Sequence, residues 1–390
     1  MFSPGPHDRI KALAASPIRR LSDYGLARGG VLPFWFGESD LPTADFIRDA
    51  AAAALKEGQT FYAPNMGIPP LRAALAEYVR GLHGVDVDAE RIAVTNSGVT
   101  GVMLAMQATV DPGDRIVIVT PCWPNLFEIP RILFGNVTYF PLEVRDGAWH
   151  LDEDKLIAVL DPGVRILLIN SPGNPTGWQI APAQQRRLME HCRKHGIWIF
   201  ADEVYERLTF DLSLKAAPSF LTVADPEDRL IVINSFSKPW SMTGWRLGWL
   251  VLPKALAAHM PKLIEYNFSS SPQFAQAAGI AALERGEQVV AAARARLIRN
   301  RDTMLEGLRR INSIAVTVPA GGMYVFFRVE GEADSFALAI RLLDEVGLGL
   351  APGIAFGPSG EGCLRWCIAA EPAKLADGLD RLRRFAGSKA

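Results

Sequence analysis

The chain has 390 residues, 49% hydrophobic and 21% charged, with a formal net charge of −1. That length predicts two or three domains around a substantial core, and the near-neutral balance gives no reason to expect nucleic acid or an anionic membrane as partner. No apolar run approaches the roughly 18 residues of a membrane span; the first eight residues lack the basic-then-apolar order of an export signal, and four cysteines without metal-ligand spacing predict a reduced, cytoplasmic protein with no metal site.

An alanine-rich run at 50–55 reads as plain helix. From about residue 91, short β-branched runs at 91–94, 115–119, 164–169, 197–200, 230–233 and 247–251 alternate with amphipathic stretches such as 183–194. Strands that are almost continuously apolar are buried on both faces, so this alternation predicts an α/β domain with a large, mostly parallel sheet between helices. The tail reads differently. A long helical stretch at 273–310 precedes strands at 315–318 and 322–327, a helix at 335–346, a strand at 363–368 and a last helix. That mixture predicts a smaller α+β domain. Cys363 and Cys367 would share one face of their strand, as ordinary buried residues.

In sheets of this kind ligands bind beyond the carboxyl ends of the strands, so the residues that follow each run matter most. After the first come Ser97, Gly98 and Val99, at the start of a helix over 102–110. Small residues there leave backbone N–H groups free for an anion, although Ser97 could simply cap the helix. Trp123 follows the second run, placed either to lie against a planar ring or to pack in the core. The third leads into 170–177, where two X-Pro steps would present the Asn174 amide on a stiff turn. Asp202, with Glu203 and Tyr205 behind it, ends the fourth. A carboxylate at the end of an apolar strand needs a cationic partner; otherwise it caps a helix and leaves Glu203 and Tyr205 exposed. The fifth run opens a loop containing Ser235 and Lys238, with Arg246 eight residues beyond the lysine.

A lysine among hydroxyls and aromatics can be desolvated toward its neutral, nucleophilic form, and a nearby arginine suits a phosphate. Aldehyde and phosphate together describe pyridoxal 5′-phosphate, whose protonated ring nitrogen would supply the partner Asp202 needs.

These motifs, in this order, resemble those of the class I/II pyridoxal-phosphate-dependent aminotransferases, the aspartate aminotransferase superfamily of fold type I. The likeness runs from Phe36-Gly37-Glu38-Ser39-Asp40 to Arg365. It implies a Schiff base on Lys238, which also moves the catalytic proton, with Asp202 on the ring nitrogen. Asn174 and Tyr205 would serve the ring's phenolic oxygen, and Trp123 its face. Ser97, Gly98, Val99, Ser235 and Arg246 would hold the phosphate. Arg365 would clamp the substrate carboxylate, with Gly37, Asn174 and Trp123 beside the substrate. Tyr62 matches a tyrosine that reaches the neighbouring subunit's phosphate, which implies a homodimer with shared sites. The implied domains are an amino-terminal arm and part of the small domain at 1–45, a large cofactor-binding domain at 46–290 and a small domain at 291–390.

The implied reaction moves an amino group from an L-amino acid to a 2-oxo acid by a ping-pong cycle. Val99 stands where many aspartate-preferring relatives carry lysine, and 265–271 contains no arginine. The expected donor is therefore neutral or aromatic, with Trp35, Phe36, Tyr266 and Phe268 as candidate pocket walls or as core residues. A lyase or synthase on the same scaffold is the alternative. A sensor module of a transcription regulator would need a basic DNA-binding segment, and the region before Phe36 is not strongly basic.

Overall fold

The computed structural model describes residues 5–387, so the reading of Met1–Pro4 lies outside the described residues. Seven strands form the larger sheet: β1 (Ile92–Thr95), β2 (Arg115–Thr120), β3 (Asn136–Pro141), β4 (Val164–Asn170), β5 (Trp198–Asp202), β6 (Leu230–Ser235) and β7 (Gly248–Val251). Their spatial order is β1-β7-β6-β5-β4-β2-β3. Only β7 runs antiparallel to its neighbours. Six of the seven were expected from their apolar runs. β3 was not, because it is a half-exposed edge strand whose polar and apolar residues alternate.

Continuous hydrophobicity has the expected cause. Successive side chains point to opposite faces, and both faces are covered. In β5, Ile199 and Ala201 enter one core while Phe200 enters the other; in β4, Leu167 and Ile169 separate in the same way from Ile166 and Leu168. Of the helices, α1 (Pro17–Leu26) buries Ile18, Leu21, Ser22 and Gly25; α2 (Gly98–Thr109) lies behind β1; α3 (Pro182–His195) buries Gln185, Leu188, Met189 and Cys192. Helix α3 opens on a proline, carries Arg193, Lys194 and His195 in its last turn and ends at Gly196 in the left-handed region (φ 68°).

The stretch 273–310 is two helices, α4 (Gln273–Arg285) and α5 (Glu287–Arg309), and not one. They divide at Gly286, where a Cβ would fall 2.2 Å from the Ala282 carbonyl oxygen and 2.5 Å from Trp240 Nε1. The carboxy-terminal part then adds β8 (Ile314–Val316), β9 (Tyr324–Val329), α6 (Ser335–Val346), β10 (Ala351–Pro352), β11 (Cys363–Cys367) and α7 (Pro372–Gly387). These four strands make an antiparallel sheet in the order β8-β9-β11-β10. Leu32–Pro33 pairs with Leu348–Gly349, and Ile18, Leu21, Phe34 and Trp35 share a core with Leu338, Leu342 and Trp366. The amino-terminal segment thus packs with the carboxy-terminal one. Cys122, Cys192, Cys363 and Cys367 are buried free thiols. Among the described residues no helix is long and apolar enough to cross a membrane.

Candidate active site

The carboxyl ends of β1, β2, β4, β5 and β6 open on one cavity of roughly 410 Å³. Every site residue selected from the sequence lines it except Tyr62: Gly37, Ser97, Gly98, Val99, Trp123, Asn174, Asp202, Tyr205, Ser235, Lys238, Arg246 and Arg365. The cavity holds four basic side chains, Arg19, Lys238, Arg246 and Arg365, against the single carboxylate of Asp202. It is a site for anions.

Part of the cavity lining is built from backbone. Ser97 caps α2, accepting from Thr100 N at 3.3 Å, with its own φ at 108°. A serine in that sparsely populated region is held by its surroundings. Gly248 on β7 faces it, where a Cβ would lie 2.7 Å from Gly98 N and 2.8 Å from the Asn234 carbonyl. The glycine lets the α2 amino terminus, with its free N–H groups and positive dipole, sit directly on the sheet edge. Ser237 N donates to Ser235 Oγ at 3.1 Å, and Arg246 is turned into place by a left-handed backbone (φ 52°) and by donating to the Thr243 carbonyl at 2.7 Å.

Asp202 also lines the cavity and is 2% exposed. Among the described residues its carboxylate accepts only from Val204 N, at 3.3 Å. Burial raises its pKa to about 7, against the pull of that N–H and of Lys238. The short 3-10 turn behind it, Glu206–Leu208, has Tyr205 and not Asp202 at its cap position, and Glu203 and Tyr205 are buried, which removes the alternative reading of this segment. Glu203 faces away, its Oε1 accepting from Phe220 N at 2.9 Å. Trp123 is half-buried: it lines the cavity and also packs against the core that contains Leu104 and Phe127.

Lys238 is half-buried, donates from Nζ to the Gly37 carbonyl, and lies 5.8 Å from the Tyr205 ring centroid. Burial above all brings its pKa down to about 8, and the charges of Arg365 and Arg246 push the same way. Arg365 is 2% exposed and pairs with no carboxylate among the described residues. It donates from Nη1 to Asn174 Oδ1 at 2.9 Å and from Nη2 to the Trp35 carbonyl, and its Nε is buried without a partner. Since Asn174 Oδ1 is thereby the acceptor, Asn174 Nδ2 is left to donate into the cavity. Asn170 secures that turn by accepting from Asn174 N at 2.8 Å.

A buried carboxylate lacking a cation, a buried guanidinium lacking an anion and a helix terminus lacking an anion are complementary to one molecule type. It is a planar ring with a basic nitrogen on one side and a phosphate on the other, beside a carboxylate-bearing substrate. Pyridoxal 5′-phosphate fits the residues present.

Among the lining residues that escaped the sequence reading are Tyr324, Asn170 and Arg19. Tyr324 brings its phenol within 2.7 Å of Tyr205 Oη; Asn170 anchors the Asn174 turn; Arg19 reaches the mouth from α1, its guanidinium 4.8 Å from the Phe36 ring centroid. Trp35 and Phe36 line the cavity, whereas Tyr266 and Phe268 do not. Tyr266 is 90% exposed at the end of the helix Met260–Asn267, and Phe268 packs against the core behind α2. Tyr62 is 88% exposed, beside Phe61 at 81%.

The family model described as aminotransferase class I and II matches residues 32–382. Aspartate aminotransferase of Pyrococcus horikoshii is 30% identical over 380 residues, 97% of this chain and 96% of that protein. Arginine–pyruvate transaminase of Pseudomonas aeruginosa is 34% identical over 343 residues, 87% of this chain and 86% of that one. The solved structure of Thermus thermophilus aspartate aminotransferase with maleate superposes with a TM-score of 0.91 at 31% identity, covering 98% of this chain and all of that one.

Proposed function

The chain belongs to the class I and II aminotransferases, and from that premise we propose a donor range, a cycle and a role for each residue of the site. It is a pyridoxal-phosphate-dependent transaminase acting on amino acid and 2-oxo acid pairs. The donor we infer is a neutral or aromatic L-amino acid, and the cycle is ping-pong. When bound, the cofactor supplies an aldehyde for the incoming amine and a cationic ring that draws electron density from the substrate Cα.

The observation that carries the assignment is that two buried charged groups, Asp202 and Arg365, stand unpaired in one cavity with an amine whose pKa lies at about 8. Lys238 acts first as the tethering amine and then as the base that moves a proton at Cα. Against an ordinary lysine at 10.5, a pKa of about 8 raises the neutral fraction at pH 7 by roughly 300-fold. Asp202 holds the ring proton in place by its charge. Arg365 binds the α-carboxylate with the N–H groups it does not spend on Asn174 and Trp35, and so orients the Cα–H bond. Tyr205 and Asn174 donate to the phenolic oxygen, and Trp123 covers one ring face. Ser97, Gly98, Val99, Ser235 and Arg246 hold the phosphate.

Phe36 and Trp123 give the mouth an apolar wall, and no lysine or arginine stands at Val99, which supports the neutral or aromatic donor. Arg19 favours a second reading, an acidic donor gripped at the cavity mouth. Tyr62 and Phe61 form an exposed apolar pair that supports a homodimer, with Tyr62 reaching the phosphate of the neighbouring subunit. Half-reaction screening tests the donor assignment: single amino acids are added to the loaded enzyme, and conversion of the lysine-linked absorbance band to the amine form is followed. Conversion by phenylalanine, tyrosine or methionine with little by aspartate is expected. A strong preference for aspartate would transfer the assignment to the Arg19 reading.

A further inference from the structure

Tyr324 opens β9 and is 1% exposed. Its hydroxyl lies 2.7 Å from that of Tyr205, and the two rings meet edge to face with centroids 5.8 Å apart. The contact joins β9 of the smaller sheet to the segment behind Asp202 of the larger one. On its other side the Tyr324 ring lies 4.4 Å from the Arg365 guanidinium carbon. Gly37 closes over the hydroxyl so tightly that a Cβ there would fall 1.8 Å from Tyr324 Oη, and the carbonyl of that same glycine accepts from Lys238 Nζ. Tyr324 therefore touches the tyrosine, the arginine and the glycine through which the site is assembled.

A phenol has one proton to give. Two phenols in contact can share it in only two ways. If Tyr205 donates to Tyr324, its proton points away from the cavity. If Tyr324 donates to Tyr205, the Tyr205 proton is free to point into the cavity, and accepting one bond strengthens the bond it gives. No other protein group takes the Tyr324 proton among the described residues.

We propose that Tyr324 is a positioning residue: it donates its proton to Tyr205 Oη and so commits Tyr205 to donating to the cofactor's phenolic oxygen. This rests on the reading above that Tyr205 faces that oxygen, and the experiment separates the two. A donor to the phenolic oxygen draws off its negative charge and weakens its hold on the proton of the neighbouring lysine linkage. Removing the donor raises the pH at which that proton leaves, which shifts the pH midpoint of the lysine-linked absorbance band.

Four loaded enzymes are titrated spectroscopically: the parent, Tyr205→Phe, Tyr324→Phe and the double variant. Tyr205→Phe should raise the midpoint by about one to two pH units, the range for a hydrogen bond to a charged group. Tyr324→Phe should raise it by a few tenths of a unit, the share that a second bond lends to the first, and should add nothing in the Tyr205→Phe background. Because Tyr324→Phe removes only the hydroxyl and keeps the ring against Arg365, kcat should fall while KM for the amino acid holds. A midpoint that moves for Tyr205→Phe but not for Tyr324→Phe overturns the relay and leaves the Tyr205 reading intact. Equal shifts by Tyr324→Phe in both backgrounds also overturn it, because Tyr324 would then act without Tyr205. If neither single variant moves the midpoint, the Tyr205 reading fails and the relay with it. A rise in KM at constant midpoint would make Tyr324 a packing residue.

Discussion

Asp202→Asn should change sign with cofactor occupancy. In the ligand-free chain the Asp202 carboxyl is buried with one long backbone donor, and its pKa rises from 3.8 to about 7. The folded state then binds more protons than the unfolded state between those two values, so the folded chain loses stability as pH rises through that window and stays depressed above it. The penalty at pH 8 is the shift of about three units at 1.36 kcal/mol each, or about 4 kcal/mol. An asparagine carries no such charge. With an unfolding entropy of about 2.1 cal/mol/K per residue, 390 residues give roughly 0.8 kcal/mol/K, so relief of the penalty raises Tm by about 5 °C. The gain should be present at pH 8 and nearly absent close to pH 4. In the loaded enzyme the same substitution removes the anion that holds the ring proton. Breaking a buried pair from one side costs about 3–5 kcal/mol, so cofactor affinity should fall by two orders of magnitude or more and the Tm change should become negative. Scanning calorimetry of both forms at pH 5 and pH 8 measures all four values. A ligand-free Asp202→Asn variant that is destabilised equally at both pH values would refute the reasoning, since Asp202 would then be a satisfied structural residue.

Lys238→Ala should abolish turnover and the lysine-linked absorbance band together; a fully active variant would remove the central assignment. Arg365→Leu should lower kcat/KM for the amino donor by two to four orders of magnitude, the range for stripping a buried charge of its partner. The loss should be small for an amine lacking the carboxylate, and an equal loss for both would place Arg365 in the scaffold. Arg19→Ala should leave kcat/KM for phenylalanine within about twofold, as for an exposed charge away from its partner. A tenfold loss confined to aspartate and glutamate would instead establish the acidic-donor reading.

How much of this was legible in the sequence depended on how local each determinant is. Six of the seven large-sheet strands were readable because burial on both faces leaves a continuous apolar run, and the residues after them were readable because such a sheet puts its ligands at one edge. The edge strand β3 alternates and gave no run. The break between α4 and α5 rests on Gly286 meeting Trp240, a contact that crosses the molecule and leaves no periodic trace. Tyr324 and Arg365 show the same limit. On β9 and β11, Phe326 stands opposite Arg365 and Tyr324 opposite Cys367, so all four share one face. Each strand is a nearly continuous buried run, and only the register between them places Tyr324 beside the arginine. Arg19 was invisible for another reason. Its helix reads as an ordinary amphipathic element, and its charge acquires meaning only where α1 passes the cavity mouth.

Why the charged groups remain unpaired follows from the two cores. Asp202 ends a strand of the larger sheet, while Arg365 lies within β11 of the smaller one, so their positions are set by different packing. The Arg365 guanidinium is instead braced by Asn174, by the Trp35 carbonyl and by the faces of Tyr324 and Phe356. Neutral braces hold the cation in position without cancelling it, which keeps its attraction for a carboxylate. If Asp202 could close on Arg365, the ligand-free chain would be more stable and the site would have to break that pair before binding anything. The same geometry explains why Lys238 leans on a backbone carbonyl and not on Asp202. Separation by scaffold, with stability given up in the ligand-free chain, is what leaves three charged groups ready for one ligand and its substrate.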